Sequence, residues 1–251
     1  MPVLVELCIA SVEDAVAAAA GGADRVELNS ALPLGGLTPS AGLLAEVRRA
    51  VRLPVVAMAR PRAGGFCYAA AEFAVLRRDV DFALDHGADG VAFGVLCDDG
   101  RVDVERCREV VRQVGPRAGQ GAVFHRAFDF TPDPFDALEQ LIDAGVRRVM
   151  TSGQRPTAAE GAELVGELIR HAAGRIEVLA AGGVRPWNVA ELVARTGCDQ
   201  VHAALREPRP DPSTRARPDL PLAAGPPADA DVTSPRLLRE LLRAVGRMGP
   251  T

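Results

Sequence analysis

The stretch Gly22-Ala23-Asp24-Arg25-Val26-Glu27-Leu28-Asn29 decides the fold, because it contains the end of one predicted helix and the whole of the next predicted strand. Gly22 stands where a helix would end in the left-handed conformation, and a strand-like run follows it. Similar junctions recur at Gly87-Ala88-Asp89, Gly145-Val146 and Gly197-Cys198-Asp199. Such a degenerate strand-and-helix repeat favours a parallel sheet with right-handed crossovers.

Eight strand-like runs are predicted, separated by amphipathic stretches with helical spacing. They lie near residues 3–8, 24–29, 54–60, 89–95, 120–125, 147–151, 176–181 and 199–203. Eight strands and their helices in 251 residues are expected of an α/β fold with a single (β/α)8 barrel, the TIM barrel, which would form one domain over residues 1–251. An open doubly wound sheet is the alternative.

The segment 205–233 interrupts this rhythm, because it holds seven prolines and little apolar periodicity. It predicts an irregular Pro-rich excursion before the last helix, with disorder expected over residues 208–228. The leucine-rich run from Leu237 to Val245 then restores helical spacing.

The composition excludes several classes of function. The chain is 48% hydrophobic with a net charge of −4, and its single Trp and single Tyr give no basic-aromatic footprint for nucleic acid. Glu6 interrupts the first apolar stretch, so no membrane segment is expected. Five scattered cysteines fit reduced thiols and a cytoplasmic location. All 29 basic residues are arginine, so no Schiff base can form on a lysine. A homo-oligomer is compatible with these features, and no residue pattern selects an oligomeric state.

The unusual residues cluster where predicted strands end, so a barrel would gather them at one mouth. Glu6 and Cys8 share one face of the first strand, and Glu27 and Asn29 share one face of the second. If these faces point inward, Glu6 and Glu27 approach each other, and the pKa of one carboxyl rises toward neutrality, as a general acid or base requires. The alternative is that arginines such as Arg60 pair with these carboxylates and hold the structure.

His125 is a candidate proton carrier, and Asp129 would either orient it or cap the next helix. His125 and Arg126 are adjacent, so only one of them can enter the barrel while the strand persists. The loops after strands six and seven could hold an anion such as phosphate on their backbone N–H groups. The candidate anion-binding residues are Arg60, Arg62, Arg126, Ser152, Gly153, Gln154, Gly182, Gly183 and His202.

Several long motifs resemble the CutC family of copper homeostasis proteins over roughly residues 3–203. They include Glu6-Leu7-Cys8, Gly35-Gly36-Leu37-Thr38-Pro39-Ser40, Phe66-Cys67-Tyr68, Phe124-His125-Arg126-Ala127-Phe128-Asp129 and Thr151-Ser152-Gly153-Gln154. The resemblance implies a cytoplasmic TIM barrel associated with copper tolerance, which in some members is proposed to bind Cu(I) through cysteines. Where family members often have a cysteine after the second strand, this chain has Asn29.

The candidate copper ligands are Cys8, Cys67 and Cys97, which follow or end strands one, three and four. Cu(I) prefers soft sulfur ligands, and Cys67 and Cys97 would lie on adjacent loops. The alternative is that each cysteine is a small buried hydrophobe.

Two hypotheses of different class therefore stand. One is a copper-handling protein that uses Cys8, Cys67 and Cys97. The other is a lyase- or isomerase-type enzyme that acts on a small anionic metabolite, for example a phosphorylated one. Its catalytic candidates are Glu6, Glu27, His125 and Asp129.

Overall fold

A computed structural model describes residues 2–214, 216–217 and 230–247. Eight parallel strands close into a barrel in chain order, which confirms the predicted TIM barrel and excludes the open sheet. Each strand begins one residue after its predicted start and ends within two residues of its predicted end. The strands are β1 Leu4–Ile9, β2 Arg25–Leu28, β3 Val55–Met58, β4 Gly90–Phe93, β5 Gly121–Phe124, β6 Arg148–Thr151, β7 Glu177–Ala181 and β8 Gln200–Ala203.

A helix follows each barrel strand and packs on the outside of the sheet. Side-chain oxygens of Ser11, Asp133 and Ser234 accept backbone N–H groups at the starts of three of these helices, and Gly22 ends the first in the left-handed conformation at φ 89°. In the described ranges, none of the helices has the length and apolar character needed to cross a membrane. The helices are α1 Val12–Gly21, α2 Ala41–Ala50, α3 Ala70–Asp85, α4 Val104–Val114, α5 Pro134–Asp143, α6 Ala162–Ala172, α7 Val189–Thr196 and α8 Pro235–Ala244.

The Pro-rich segment differs from its prediction at both ends. Strand β9, Arg206–Arg209, pairs antiparallel with β10, Ala230–Thr233, where the sequence predicted irregular structure. The buried carboxylate of Asp14 anchors this sheet to α1, because it accepts hydrogen bonds from the backbone N–H of Thr233 and from Nη1 of Arg206. Most of the predicted disorder over 208–228 concerns residues 215 and 218–228, which lie outside the described residues.

The interior of the barrel is layered. Near the amino ends of the strands, Arg25, Arg148, Gln200 and Glu177 form a buried polar network. Apolar side chains fill the middle in two clusters, and a second polar layer lies at the mouth. The apolar layer consists of Val56, Met58, Ala92 and Val123 in one cluster and Met150, Leu179 and Ala181 in the other.

Candidate active site

A cavity of about 760 Å³ opens at the carboxyl ends of the barrel strands. This is the end at which TIM barrels carry their active sites. Its polar and charged lining consists of Cys8, Glu27, Asn29, Arg60, His125, Arg126, Arg185, His202, Arg206 and Asp231. Its apolar lining is formed mainly by Leu32, Pro33, Met58, Phe66, Phe130 and Met150.

The register of β1 explains how the acid–base residues meet. Cys8 lies opposite Glu27 on β2, while Glu6 lies opposite His202 on β8. Glu6 and Glu27 are both almost fully buried. The predicted inward orientation of the two carboxylates is therefore confirmed.

Glu6 is the buried anion of this site. Its Oε2 accepts a hydrogen bond from Nε of Arg25, and its Oε1 lies 2.7 Å from Nδ1 of His202. Burial alone would raise the pKa of Glu6, but the hydrogen bond with His202 and the charges of Arg25 and His202 outweigh it and lower this pKa to about 2. Glu6 is therefore a permanent carboxylate at neutral pH.

Glu27 has the opposite electrostatic character. Burial raises its pKa, the charge of Glu6 adds to the effect, and the nearby His202 and Asn29 only partly offset it. Its Oε2 accepts a hydrogen bond of 2.9 Å from Asn29, whereas its buried Oε1 has no hydrogen-bond partner within the described ranges. The expectation that one of two neighbouring carboxyls gains a raised pKa is confirmed for Glu27.

His202 lies between the two carboxylates. Its Nε2 is 3.8 Å from Oε2 of Glu27, while its Nδ1 contacts Glu6. Burial alone would lower the pKa of His202, but Glu27, Cys8 and Glu6 together raise it well above the usual value. The imidazole is therefore cationic and directs Nε2 toward Glu27. It was predicted only as an anion ligand.

His125 is a neutral histidine. Its Nδ1 accepts a hydrogen bond of 3.1 Å from the backbone N–H of Ala127, so the ring proton is on Nε2. This nitrogen is buried and has no partner among the residues that the structure describes. Burial and the charge of Arg60 lower the pKa of His125 to about 3. Gly94 provides the space for this ring, because a Cβ there would lie 2.3 Å from Cε1 of His125.

Asp129 does not contact His125 and does not cap the next helix, so both of its predicted roles are wrong. Its carboxylate accepts hydrogen bonds from Nε of Arg126, the hydroxyl of Thr151 and the backbone N–H groups of Ser152 and Gln154. The cause is that β5 ends at Phe124 and residues 126–130 form a 3₁₀ turn, which directs Asp129 toward the loop after β6. The expectation that only one of His125 and Arg126 enters the barrel held only while the strand persists. Because β5 ends before them, both line the cavity.

The loop after β6 is not the open anion site that the sequence predicted, because the Asp129 carboxylate already occupies its N–H donors. The side chain of Gln154 donates instead to the carbonyl oxygen of Thr131. Gly153 packs directly on the backbone of Gly161.

The glycines of the loop after β7 leave space for the neighbouring side chains, that of Arg126 among them. A Cβ at Gly182 would lie 3.3 Å from Cζ of Arg126, and a Cβ at Gly183 would lie 3.0 Å from the Thr157 side chain. Neither glycine lines the cavity.

The arginines after β3 do not pair with Glu6 or Glu27. Arg60 donates to the carbonyl oxygens of Leu34, Gly36 and Gly64, while its buried Nε has no partner in the part of the chain that the structure describes. Arg62 forms an ion pair with Glu72 and lies outside the cavity lining. Of the two arginines after β3, it is therefore Arg60 that can contact a ligand in the cavity.

The three candidate copper ligands are not gathered in the cavity. Cys8 lines it, and Nδ2 of Asn29 lies 3.4 Å from its Sγ. Cys67 is exposed and Cys97 is half-buried, and neither lines the cavity. Their loops do touch, because the N–H of Leu96 donates to the carbonyl oxygen of Phe66. Cys107 and Cys198 are buried, as expected of small hydrophobes.

Sequence reasoning missed three contributors to the site: Arg25, Arg206 and Asp231. Arg25 shares strand parity with Glu27, so alternation along β2 could have revealed it. Arg206 and Asp231 lie on the β9–β10 sheet, and their Pro-rich surroundings gave no strand signal.

Comparisons with known proteins agree on one family. The sequence model of the CutC family matches residues 3–207. A CutC family protein of Treponema denticola is 47% identical over 216 residues, covering 86% of this chain and 87% of the relative. A human protein named copper homeostasis protein cutC homolog is 43% identical over 206 residues, covering 82% of this chain and 74% of the relative. A crystal structure of CutC from Streptococcus agalactiae superposes with a TM-score of 0.74 at 29% identity, covering 80% of this chain and 97% of that one. The chain therefore belongs to the CutC family of copper homeostasis proteins.

Proposed function

We propose that this chain is an enzyme of the lyase or isomerase kind that moves a proton on a small anionic metabolite in the barrel cavity. One observation carries the proposal. Among the residues that the structure describes, Oε1 of Glu27, Nε of Arg60 and Nε2 of His125 are all buried without a hydrogen-bond partner, and all three residues line the same cavity. Each unpaired buried polar group costs about 1–3 kcal/mol, so a bound ligand that pairs with them would be stabilised.

The three unpaired groups have complementary roles in this reaction. Glu27, with its raised pKa, accepts a proton from the substrate carbon and becomes a neutral acid. Neutral His125 donates a hydrogen bond from its Nε2–H to the substrate oxygen on which negative charge develops. Arg60 adds positive charge near the same oxygen. In an isomerase reaction, Glu27 returns the proton to a different carbon. In a lyase reaction, the electron pair left by the proton forms a new double bond, the leaving group departs with the electron pair of its own broken bond, and it takes up the proton from Glu27.

The electrostatic setting supports an anionic substrate. Four arginines line the cavity, namely Arg60, Arg126, Arg185 and Arg206, against the acidic residues Glu27 and Asp231. Arginine presents a planar fork that suits phosphate and carboxylate alike. Because the chain has no lysine, the reaction proceeds without an imine on a lysine side chain.

Incorporation of deuterium from the solvent into small metabolites tests the proposal, and the substrate need not be known in advance. The protein is incubated in D₂O with small anionic metabolites, and mass spectrometry identifies any compound that gains deuterium or is converted. We expect at least one such compound with the native chain, none with Glu27→Gln, and full activity with Glu46→Gln, which alters an exposed carboxylate on α2. Equal labelling by the native chain and Glu27→Gln, or no labelled compound at all, would refute the proposal.

Copper as a bound cargo is the second candidate, favoured by a different observation. Ligand atoms of Cys8, Glu27 and His202 lie within 4.8 Å of one another, and Glu6 orients the histidine, as carboxylates often do for metal ligands. The donor set fits Cu(I) only in part, because it holds a single sulfur and Cu(I) prefers soft ligands. Cys8 and His202 would supply its softest pair.

Anaerobic Cu(I) titration against a competing chelator tests this second candidate. If Cys8 and His202 hold the ion, Cys8→Ser abolishes one bound equivalent while Cys67→Ser leaves it intact. If Cys67 and Cys97 form the site instead, the two variants behave in the opposite way. Failure of the native chain to compete with the chelator would remove both sites.

We also propose a cytoplasmic location, which suits five cysteines that are all free.

A further inference from the structure

One wall of the cavity is aromatic. The ring of Phe66 lies 5.0 Å from the ring of His125 and 5.6 Å from the ring of Phe130, measured between centroids. Cζ of Arg60 lies 5.3 Å from the Phe66 centroid. These residues come from the loops after β3 and β5, so the wall occupies one side of the mouth.

Phe130 lines the cavity and is nevertheless 68% exposed. Among the described residues, Leu34 and Trp187 are also large exposed apolar side chains, at 55% and 75%, and they lie on the loops after β2 and β7. Apolar side chains gain free energy when they leave water. Of these three side chains, Phe130 lines the cavity, so it is the one that an apolar ligand group in the cavity would cover.

The charged groups divide the same cavity into two sides. Glu27 and His202, which belong to β2 and β8, form the acid–base side. Arg126 and Arg185 follow β5 and β7 and form a cationic side. Arg126 is held through Nε by Asp129 and through Nη2 by Ser152, and in the described part of the chain its Nη1 makes no hydrogen bond.

We infer that the ligand of this cavity is an anion that carries an apolar ring, with the ring against Phe66 and Phe130 and the anionic group at Arg126 and Arg185. The inference rests on the proposed function, because it takes the same cavity as the substrate site. The volume of about 760 Å³ agrees, since it falls within the range of pockets that enclose a ligand with a ring and greatly exceeds what a metal ion or free phosphate fills.

Matched pairs of probes test the ring and the anion separately. Phenyl phosphate is compared with methyl phosphate, and benzoate with acetate, by isothermal calorimetry and by the fluorescence of Trp187, the only Trp of the chain. We expect the ring-bearing member of at least one pair to bind about tenfold or more tightly than its partner, which corresponds to about 1.4 kcal/mol. The pair that shows this difference identifies phosphate or carboxylate as the anionic group.

Three variants assign the binding to this wall and to this cationic side. Phe130→Ala should remove most of the ring preference, and Phe66→Leu should reduce it while preserving the packing of the loop. Arg126→Ala should weaken both members of a pair equally. Phe82→Ala is the matched control, because Phe82 is an exposed phenylalanine on α3 that stacks on His86 away from the cavity.

The outcomes separate this inference from the proposed function. Equal affinity for the two members of both pairs, no binding of any probe, or a ring preference that survives Phe130→Ala and Phe66→Leu would overturn the inference. None of these results depends on proton transfer, which the exchange experiment with Glu27→Gln measures independently. A ring preference without deuterium exchange would keep the inference and reject the proposed enzyme.

Discussion

Nδ1 of His202 lies 2.7 Å from Oε1 of Glu6, across the pairing of β8 with β1. The contact determines which imidazole nitrogen is free to face Glu27. Because Glu6 also binds Arg25, it holds two cationic side chains in the interior of the barrel.

Glu6→Gln should destabilise the protein strongly, because it leaves the guanidinium of Arg25 buried without its carboxylate. Loss of one partner of a buried ion pair costs roughly 3–5 kcal/mol, which lowers the melting temperature by about 10 °C in a domain of this size. Thermal unfolding followed by circular dichroism measures the change. Glu46→Gln, at an exposed ion pair, should shift it by less than about 2 °C. A Glu6→Gln protein as stable as the native chain would contradict this role.

Glu27→Gln should leave the melting temperature unchanged within about 3 °C or raise it, because His202 keeps its contact with Glu6. In the described part of the chain, no arginine forms an ion pair with Glu27 and its Oε1 is already unpaired. The same unfolding assay checks this prediction beside Glu6→Gln. A decrease of about 10 °C would show that Glu27 is structural and would count against its catalytic role.

His125 should make the fold sensitive to acid. Its pKa is about 3 in the folded protein, below the ordinary value of 6.5. The stability it contributes is therefore fully present above pH 6.5 and declines as the pH falls toward 3. The loss between pH 6.5 and about pH 4 should be about 3 kcal/mol. Chemical denaturation across this range should show a shallower decline for His125→Asn, whose amide oxygen can still accept the Ala127 N–H. Parallel declines would disprove the assignment.

Asp129→Asn should loosen the Arg126 side chain and the loop after β6. The amide provides one acceptor oxygen where the carboxylate provides two, so we expect a loss of about 1–3 kcal/mol in stability and weaker binding of phenyl phosphate by calorimetry. Asp136→Asn, an exposed change on α5, is the control and should alter neither quantity. Unchanged probe affinity would mean that Asp129 does not position Arg126.

Cys67 should be the first cysteine to react with maleimide. It is exposed, whereas Cys107 is buried and burial raises the pKa of its thiol far above the usual value. Peptide mass spectrometry after short labelling should find Cys67 modified roughly 100-fold faster than Cys107. The difference should disappear on mild unfolding. Equal rates in the native protein would contradict the placement of these two side chains.

The barrel could be predicted from sequence because its signals are local. Several strands follow helix ends such as Gly22. Alternation along the first two strands put Glu6 on one face with Cys8 and Glu27 on one face with Asn29. The deep partner Arg25 follows the same alternation and could have been found by it.

The remaining parts of the site depend on where a strand stops and on what crosses the barrel. Asp129 was misassigned because β5 ends at Phe124, and a 3₁₀ turn then redirects the chain. Arg206 and Asp231 were missed because a sheet built from Pro-rich sequence has no periodic signature. The copper ligands predicted from sequence, Cys8, Cys67 and Cys97, depended on distances between loops, which residue spacing does not contain.

The pairing of β8 with β1 has a kinetic consequence. Glu6 and His202 are separated by 196 positions in the sequence, and contacts of such long range form slowly because the intervening chain must first be ordered. An incompletely closed barrel would have its helices and most of its strands but no Glu6–His202 contact. In a refolding experiment, recovery of ligand binding should therefore lag behind recovery of helical circular dichroism, so that function itself reports the closure of the barrel.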